Sequence, residues 1–150
     1  MKWSYIAGFF DGEGSITHNN GIGFRITIPQ TNEEVLNEIR NFAKVGYVIK
    51  LKKRKAHWKD SWLYYIASKK DVLVFLKKMI PYLVLKKEIS LKAIYSLKEQ
   101  LIKIEKKKET YKRRQSKAKL LRLKGWSYRK IGKRLKIDWG YTRRLILDLV

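Results

Sequence analysis

The 150-residue sequence predicts an α+β fold, and three observations support that prediction. Over about residues 1–105, apolar residues switch between the 3.6-residue spacing of helices and the two-residue spacing of strands, in the order α-β-β-α-β-β-α. The strands fall into two adjacent pairs, which favours an antiparallel sheet covered by helices on one side. Residues 106–150 show only helical spacing. We therefore expect a core over 1–105 and a basic, all-α extension over 106–150.

The first helix is predicted from Trp3 to Asp11, and a β-hairpin follows it. Its strands are Ser15–Thr17 and Gly23–Ile28, and the Asn-Asn-Gly turn between them tolerates positive φ. Pro29 is expected to end the second strand. Alternation within that strand separates two faces, with Phe24, Ile26 and Ile28 on one and Arg25 and Thr27 on the other.

A second helix and a second strand pair come next. Asn32 is a good N-cap for a helix over Glu33–Lys44, where apolar residues recur at helical spacing. Gly46–Arg54 and roughly Trp58–Ala67 are the next two strands. Basic residues cluster at the tip between these strands: Lys50, Lys52, Lys53, Arg54 and Lys55.

Two further helices complete the predicted core. Asp71 is expected to cap the first, which stops before Pro81. The second is expected from about Lys86 to Lys106. The segment Lys103–Lys119 is charge-dense and is predicted to be either a linker or an extension of that helix.

The C-terminal residues have the spacing of a helix-turn-helix. Tyr128–Leu135 and Trp139–Leu149 are two short predicted helices, which Ser127 and Asp138 can cap. A tight turn at Lys136 separates them, at a position where such turns often carry glycine. The pattern resembles a helix-turn-helix DNA-binding module. The alternative is a helical extension that packs on the core.

The charge of the chain indicates a polyanionic partner. Lysine and arginine number 36 against 13 acidic residues, a net charge of +23, and about two thirds of that excess lies between Lys103 and Arg144. Nucleic acid is the first choice, and an anionic membrane surface is the alternative. No apolar run approaches the ~18 residues of a membrane span, and no secretory signal opens the chain. We expect an intracellular protein, in a prokaryotic cytoplasm or an organelle, without disulfides or thiolate metal sites because cysteine is absent.

The most informative stretch is Ile6–Gly14, with the sequence IAGFFDGEG. Gly8 lies in the middle of a predicted helix, where glycine costs about 1 kcal/mol relative to alanine, so close approach of another helix is the expected compensation. The Gly-rich end of the stretch should present the carboxylate of Glu13. These nine residues resemble the signature motif of the LAGLIDADG homing endonucleases, and the element order is that of the family's core.

The resemblance implies both a fold and an activity. The fold is an αββαββα core with a saddle-shaped antiparallel sheet. The activity is a site-specific double-strand break in a long DNA target, by an enzyme that a mobile intron encodes. Phosphodiester hydrolysis needs an activated water and stabilised negative charge, which a divalent cation held by carboxylate and backbone oxygens supplies. The implied metal ligands are Glu13 and the carbonyl of Gly12, and the expected cation is Mg²⁺.

The single motif implies a homodimer. Family members with two motifs act as monomers, whereas members with one motif act as homodimers. Ala7 and Gly8 are then the expected contact between paired motif helices, and Asp11 is expected to cap or brace the ends of those helices. The pairing brings two Glu13 side chains near a twofold axis. Two identical halves imply a roughly palindromic double-stranded DNA target.

Two further catalytic residues follow from the resemblance. Lys86, which ends the stretch PYLVLK, matches the basic residue that flanks the family's active site. Gln30 matches a frequent polar residue of the site and could orient the attacking water. The alternative for Lys86 is a solvated lysine, and the alternative for Gln30 is an ordinary polar residue at the end of a strand.

Base recognition is expected from the groove-facing side of the strands and from the last helix. In the second strand pair, charge favours Lys50, Lys52 and Arg54, whereas the family's GYV stretch favours Tyr47 and Ile49. A β-bulge would reconcile the two. The predicted DNA-binding residues are Ser15, Thr17, His18, Asn19, Asn20, Arg25, Thr27, Lys50, Lys52, Arg54, Tyr65, Trp139, Tyr141, Arg143 and Arg144.

Two other functions are compatible with the same scaffold. Transcription regulators of the WhiA type join a degenerate LAGLIDADG fold to a helix-turn-helix. They have lost the acidic residues and carry two repeats, so Glu13 and the single motif argue against that function here. The second alternative is an RNA maturase that acts on intron RNA, which the sequence does not separate from DNA cleavage.

Overall fold

A computed structural model of the chain describes residues 1–19, 23–53, 55 and 57–148. The chain divides into two units, Met1–Leu101 and Ile102–Val150, and the boundary between them falls inside one long helix. Among the described residues, no helix combines the length and the apolarity that crossing a membrane requires.

The first unit has the predicted element order α-β-β-α-β-β-α and confirms the α+β class. Its elements are α1 Trp3–Glu13, β1 Ser15–Asn19, β2 Gly23–Gln30, α2 Glu33–Ala43, β3 Tyr47–Lys50, β4 Trp62–Ile66, α3 Lys69–Met79 and the first part of α4 Lys87–Leu123.

The four strands form one antiparallel sheet in the order β1-β2-β4-β3. The two hairpins therefore join through β2 and β4. Thr27 lies opposite Ser15 of β1 and also opposite Tyr65 of β4, and Tyr65 lies opposite Tyr47 of β3. Because paired residues share a face, this row of four side chains crosses the whole sheet on one face.

The other face of the sheet carries the core, and α1, α2 and α3 pack against it. Tyr64 is the largest side chain in this core, and its hydroxyl donates a 2.7 Å hydrogen bond to the carbonyl of Val45. That bond satisfies the only polar atom of the side chain. The alternation predicted for β2 is confirmed: Ile26 and Ile28 are fully buried, whereas Arg25 and Thr27 point to the open face.

Several predicted element boundaries are wrong: β3 is Tyr47–Lys50 rather than Gly46–Arg54, and β4 is Trp62–Ile66 rather than Trp58–Ala67. Two further differences have a physical reason. β2 continues through Pro29 to Gln30. The pairing with β1 does not extend beyond Thr27, which lies opposite the first residue of β1, so Pro29 has only β4 as a neighbour. Proline is tolerated where a strand has a neighbour on one side only. The N-cap of α3 is Ser68 rather than Asp71, and Asp71 lies in the first turn, where its charge complements the helix dipole.

The charge-dense segment is an extension of α4, because this helix continues unbroken from Lys87 to Leu123. Lysine, glutamate, arginine and leucine, which fill it, are strong helix formers. It ends where Gly125 adopts a positive φ of 82°. The N–H groups of Gly125 and Trp126 then donate back to the carbonyls of Arg122 and Leu121, a common way to end a helix.

The second unit consists of the end of α4, α5 (Tyr128–Leu135) and α6 (Trp139–Ile146). Its core is small and is centred on three fully buried side chains, one from each helix: Ala118, Ile131 and Leu145. The Ser127 hydroxyl accepts the N–H of Lys130 at 3.3 Å, and the Asp138 carboxylate accepts the N–H groups of Gly140 and Tyr141 at 2.8 and 3.0 Å. Both predicted N-caps are thus present.

The turn between α5 and α6 requires close packing. Lys136 adopts the left-handed conformation (φ 54°, ψ 47°), which explains why glycine is common at this position. The N–H of Ile137 donates to the carbonyl of Gly132 at 3.0 Å. A Cβ on Gly132 would lie 2.8 Å from the carbonyl oxygen of Ile137, so only glycine fits there without movement.

Candidate active site and DNA interface

The motif stretch forms α1 and its C-terminal end. The helix continues to Glu13, two residues beyond the predicted end at Asp11. Gly14 follows as the C-cap in an extended conformation, with its N–H donating to the carbonyl of Phe10 at 2.9 Å. A Cβ on Gly14 would lie 2.0 Å from the buried Phe10 ring. Close packing, rather than a positive φ, therefore explains this glycine.

Glu13 presents an exposed carboxylate at the C-terminal end of α1. The last carbonyls of a helix lack partners within it and carry the negative end of the helix dipole. A carboxylate at this end is unfavourable by itself, typically by ~0.3–1 kcal/mol. Among the described residues, no ion pair involves Glu13. The position therefore concentrates negative charge in a form that a bound cation would neutralise.

Asp11 fastens the loop Pro81–Lys86 to α1. Its side chain is buried, with a relative exposure of 9%, and accepts the backbone N–H groups of Val84 and Lys86 at 2.7 and 2.8 Å. Burial raises the pKa of Asp11, but the N–H groups of Val84, Lys86 and Leu85 and the charge of Lys86 lower it more, so the pKa lies below its usual range. Asp11 thus braces the end of its own motif helix, and its burial leaves little of it to contact a second subunit.

Lys86 is half-buried and reaches back to the end of α1. Its amine donates a hydrogen bond to the backbone carbonyl of Asp11 and lies 5.9 Å from the centroid of the Phe10 ring. These contacts hold the positive charge of Lys86 beside Asp11, which lies two residues before Glu13 in the last turn of the helix. The structure therefore brings Lys86 to the motif from 75 positions away along the chain.

Gln30 is the last residue of β2 and is half-buried. Its side-chain oxygen accepts the N–H of Thr31 at 2.7 Å and the hydroxyl of Thr31 at 3.3 Å. β1 runs antiparallel to β2, with Ser15 opposite Thr27, so the end of β2 and the start of β1 lie at the same edge of the sheet. Glu13 immediately precedes that start, separated from β1 only by Gly14.

One face of α1 is exposed in the described part of the chain. Gly8 and Gly12 are exposed, and a Cβ on either would meet no atom within 4 Å. Ser4 and Tyr5 lie on the same face, at helical spacing from the glycines. Ala7, in contrast, is fully buried in the core of its own subunit and so cannot form the predicted contact with a second one.

The loop beside α1 also exposes apolar side chains. Val84 and Leu85 are 80% and 78% exposed, although Asp11 holds the backbone of this loop in place. Exposed aliphatic side chains on a loop whose backbone is held in place by hydrogen bonds are typical of a contact surface.

The open face of the sheet collects most of the strand residues predicted to bind DNA. Ser15, Thr17, Arg25, Thr27 and Tyr65 all lie on it, as the register shows. The hydroxyls of Ser15 and Thr27 are 2.7 Å apart, and the guanidinium of Arg25 stacks 5.1 Å from the centroid of the Tyr65 ring. Hydroxyl, guanidinium and aromatic groups on one sheet face are suited to contact nucleic acid.

Tyr47 and Ile49 also lie on this face, opposite Tyr65 and Leu63. The rings of Tyr47 and Tyr65 are 5.0 Å apart, and desolvation together with the neighbouring Tyr65 raises the pKa of Tyr47. The register from Tyr47 to Lys50 is regular, and the N–H of Leu51 continues it by donating to the carbonyl of Ser61 at 2.8 Å. A bulge, which would have reconciled the two alternatives, is therefore absent from residues 47–51.

Two predicted DNA-binding residues lie on the helix-covered face instead of the open face. Lys50 pairs with Trp62 in the register of the helix-covered side, stacks over that ring at 5.4 Å and forms a 3.3 Å ion pair with Asp60. His18 pairs with Phe24, also on the helix side, with ring centroids 4.9 Å apart. Alternation decides both positions, because adjacent residues of a strand point to opposite faces.

The other predicted tip residues are Asn19, Asn20, Lys52 and Arg54. Lys52 is exposed and follows the end of β3. Asn19 ends β1 opposite Gly23. Asn20 and Arg54 lie outside the described residues.

In the second unit, the residues predicted to contact DNA lie on two sides of α6. Trp139, Arg143 and Arg144 are exposed, whereas Tyr141 is half-buried and packs against the core of the unit. Thr142 and Leu145 are fully buried and define the inward side of the helix.

No cluster of three or more aspartate, glutamate, histidine or cysteine side chains is placed to bind a metal ion in the described part of the chain. The oxygen donors near the end of α1 are the carboxylate of Glu13 and the terminal carbonyls, that of Gly12 among them. This donor set suits a hard divalent cation but is too small to hold one alone.

Comparison with known proteins identifies the family. A model of the LAGLIDADG-like domain matches residues 2–79, which include the whole motif and the sheet. The chain belongs to the LAGLIDADG family. No curated protein matches this LAGLIDADG chain in sequence.

Solved structures of LAGLIDADG proteins share the fold. The archaeal intron-encoded homing endonuclease I-Vdi141I, solved in complex with DNA, is 20% identical with a TM-score of 0.51, over 99% of this chain and 97% of that one. The homing endonuclease I-CvuI, in complex with its target and Ca, is 22% identical with a TM-score of 0.51, over 64% of this chain. The match covers 65% of the I-CvuI chain. At these identities the likeness establishes the fold.

The sequence of this LAGLIDADG protein did not point to some of the candidate residues that its structure reveals. Val84 and Leu85 stand in an apolar run that is typical of a core segment, so nothing in the sequence signalled their exposure. Basic residues of α4 near Tyr141 line a cleft in the second unit, but uniform charge along the segment concealed them. The GYV stretch was the signal in the sequence that favoured Tyr47 and Ile49, and the register places both on the open face.

Proposed function

We propose that this chain is a site-specific, divalent-metal-dependent DNA endonuclease that acts as a homodimer on a roughly palindromic target. One observation carries the proposal: the exposed Glu13 carboxylate lies at the end of α1, two residues before β1 of the sheet whose open face carries Arg25, Thr27 and Tyr65. A group suited to phosphodiester cleavage is therefore directly joined to a surface suited to bind DNA.

Glu13 and the Gly12 carbonyl would hold Mg²⁺, and a second copy of the chain and the phosphates of the DNA would complete the coordination. Hard oxygen donors are the ligands this cation prefers, and it commonly binds through one or two carboxylates together with substrate phosphates. When bound, the cation would promote ionisation of a water and stabilise charge on the phosphate. The donor set of a single chain fits half of such a site.

The surrounding residues have separate roles. The amine of Lys86, held at the end of α1, would stabilise negative charge that develops on the scissile phosphate. Gln30, whose side-chain oxygen is held by Thr31, would orient a water through its amide nitrogen. Asp11 positions Lys86 by binding its backbone N–H.

The homodimer would form through the open face of α1. Gly8 and Gly12 leave space for a second helix to approach closely, and the exposed Val84 and Leu85 extend the contact beside it. Two copies related by a twofold axis would bring two Glu13 carboxylates to the two strands of a duplex. The likeness to the intron-encoded I-Vdi141I supports a mobile intron as the source of the gene.

A cleavage selection tests this function. Supercoiled plasmids that carry a randomised 24-base-pair segment would be incubated with the protein in Mg²⁺ or in EDTA, and the ends of linear products would be sequenced. We expect linear products only with Mg²⁺, with a roughly palindromic consensus at the cut site.

The Glu13→Gln variant removes one charge at nearly constant shape. Cleavage should fall at least about a hundredfold, as loss of a metal ligand requires, while binding of the selected duplex in EDTA persists. Glu38→Gln, an equal change at an exposed position of α2, is the matched control and should cleave normally. Cleavage by Glu13→Gln near the wild-type rate would remove the catalytic assignment.

A further inference from the structure

The second unit contains an open basic cleft beside α6. The cleft has a volume of about 460 Å³ and lies between α4 and the N-terminal turn of α6. Its lining residues are Lys106, Lys107, Thr110, Tyr111, Arg114 and Tyr141. Three of the six are cationic and none is acidic, so the cleft suits an anion. Its openness to solvent suits a group that belongs to a larger molecule.

α6 presents a second feature next to this cleft. Its outward side carries Arg143 and Arg144 together with Trp139, whose large aromatic side chain is 53% exposed. Among the described residues of this unit, the side chains that form the core do not include Trp139. Exposed tryptophan and arginine side by side are characteristic of surfaces that bind a partner.

Tyr141 joins the two features. It lines the cleft, and Arg144 lies three residues further along α6, on the same flank of the helix. The anion site and the outward arginines are therefore neighbours, with a spacing of about one helical turn. A duplex offers the same pair of targets, because a row of phosphates borders each groove edge.

We propose that the second unit is a separate DNA-reading interface, in which α6 enters the major groove and the basic cleft binds a phosphate at the edge of that groove. Arg143 and Arg144 would contact base edges, and Trp139 would pack on sugar or thymine methyl groups. Lys107 and Arg114 would hold the backbone and fix the position of the helix. This interface goes beyond the cleavage site and requires neither Glu13 nor the contact between α1 helices.

The chemistry favours DNA over RNA. The major groove of B-form DNA, about 12 Å wide, admits an α-helix, whereas the deep and narrow major groove of A-form RNA does not. A helix with an outward arginine pair and an adjoining phosphate site matches the first geometry.

A binding selection with the full-length protein tests the proposal. Randomised 40-base-pair duplexes would be selected in EDTA, so that no cleavage occurs, and bound sequences would be compared among variants. Wild type should select two separate blocks of preferred bases in each half-site. Arg143→Ala with Arg144→Ala should lose one block and bind the wild-type consensus about tenfold or more weakly, while Arg25→Ala should weaken the other block.

Lys107→Ala with Arg114→Ala separates phosphate binding from base recognition. It should keep both blocks but lower the slope of log affinity against log salt by about two, because phosphate contacts carry charge without sequence information. Lys77→Ala with Lys78→Ala, two exposed cations at the end of α3, removes equal charge and should change neither property. Thermal melting would verify that each variant is folded.

Two results would overturn the proposal. In the first, both double variants of the second unit have the same base consensus and the same salt slope as the double variant of Lys77 and Lys78. The helices of the second unit would then have a purely structural role. In the second, an RNA duplex of the selected sequence binds as tightly as the DNA through the same residues. If the wild-type protein instead selects only the block that depends on Arg143 and Arg144, and no block that depends on Arg25, the second unit reads DNA and the core does not. That result would count against the proposed function.

Discussion

At the scale of single residues, Asp11 shows how one buried carboxylate organises a site. It accepts two backbone N–H groups of the loop that carries Lys86, so the position of the lysine depends on an aspartate 75 positions away. Because charged acceptors form stronger hydrogen bonds than neutral ones, ionised Asp11 should stabilise the fold measurably. Its lowered pKa reflects the same interaction.

Asp11→Asn should lower the free energy of unfolding at pH 7 by about 1–3 kcal/mol, because the amide leaves one buried N–H without an acceptor. The pKa of Asp11 is lowered on folding, so its contribution is present above the unfolded value of about 3.9 and is lost as pH falls through the folded value. Below about pH 4 the variant should therefore approach wild type. Urea unfolding across pH measures this, with the solvent-screened Asp60→Asn as control. If the difference in the free energy of unfolding between wild type and Asp11→Asn were the same at low pH as at pH 7, the ionised carboxylate of Asp11 would not be its cause.

At the scale of elements, the turn between α5 and α6 stores local strain. Lys136 holds a left-handed conformation that disfavours side chains, and it does so to let Ile137 close the end of α5 on Gly132. The close contact at Gly132 keeps α5 and α6 in their packed arrangement. The turn therefore sets how α6 is presented.

Lys136→Gly should stabilise the second unit by about 0.5–1 kcal/mol, because glycine adopts positive φ without a steric cost. Arg134→Gly, within α5, should destabilise it by about 1 kcal/mol. Urea unfolding followed through tryptophan fluorescence would record both changes, with Trp126 and Trp139 reporting on the second unit and Trp3, Trp58 and Trp62 on the first. The two substitutions should thus change the free energy of unfolding in opposite directions. If both lowered it, the side chain of Lys136 would make a contact that stabilises the unit by more than its backbone strain costs.

At the scale of the whole molecule, the exposed face of α1 is the surface through which we propose that two chains assemble. Its glycines leave an open surface on a helix whose opposite side is fully buried. In the proposed dimer, the active site would be complete only when two such faces meet, so assembly and cleavage should be lost together.

Gly8→Leu should give a folded monomer. A Cβ at this position meets no heavy atom within 4 Å, and leucine improves helix propensity by about 0.8 kcal/mol, whereas closely packed helices have no room for it. Sedimentation at micromolar concentration should show a wild-type dimer and a variant monomer with an unchanged melting temperature. Lys70→Leu, on the exposed side of α3, is the control and should remain dimeric. A wild-type monomer without DNA would weigh strongly against the dimer.

The sequence by itself determined the order of elements, the caps of α2, α5 and α6, the two faces of β2 and the place of Glu13 at the end of the motif helix. Each depends on residues close together in the chain, where periodicity and capping act. The tertiary structure decided the rest. The pairing of β3 with β4 put Lys50 on the helix side and Tyr47 on the open side, since a shift of one residue reverses every side chain of a strand. The packing of α1 on the sheet turned Ala7 inward, and only the folded chain brings Lys86 to Asp11. Faces, registers and distant hydrogen bonds arise from contacts between segments far apart in sequence, which no local pattern specifies.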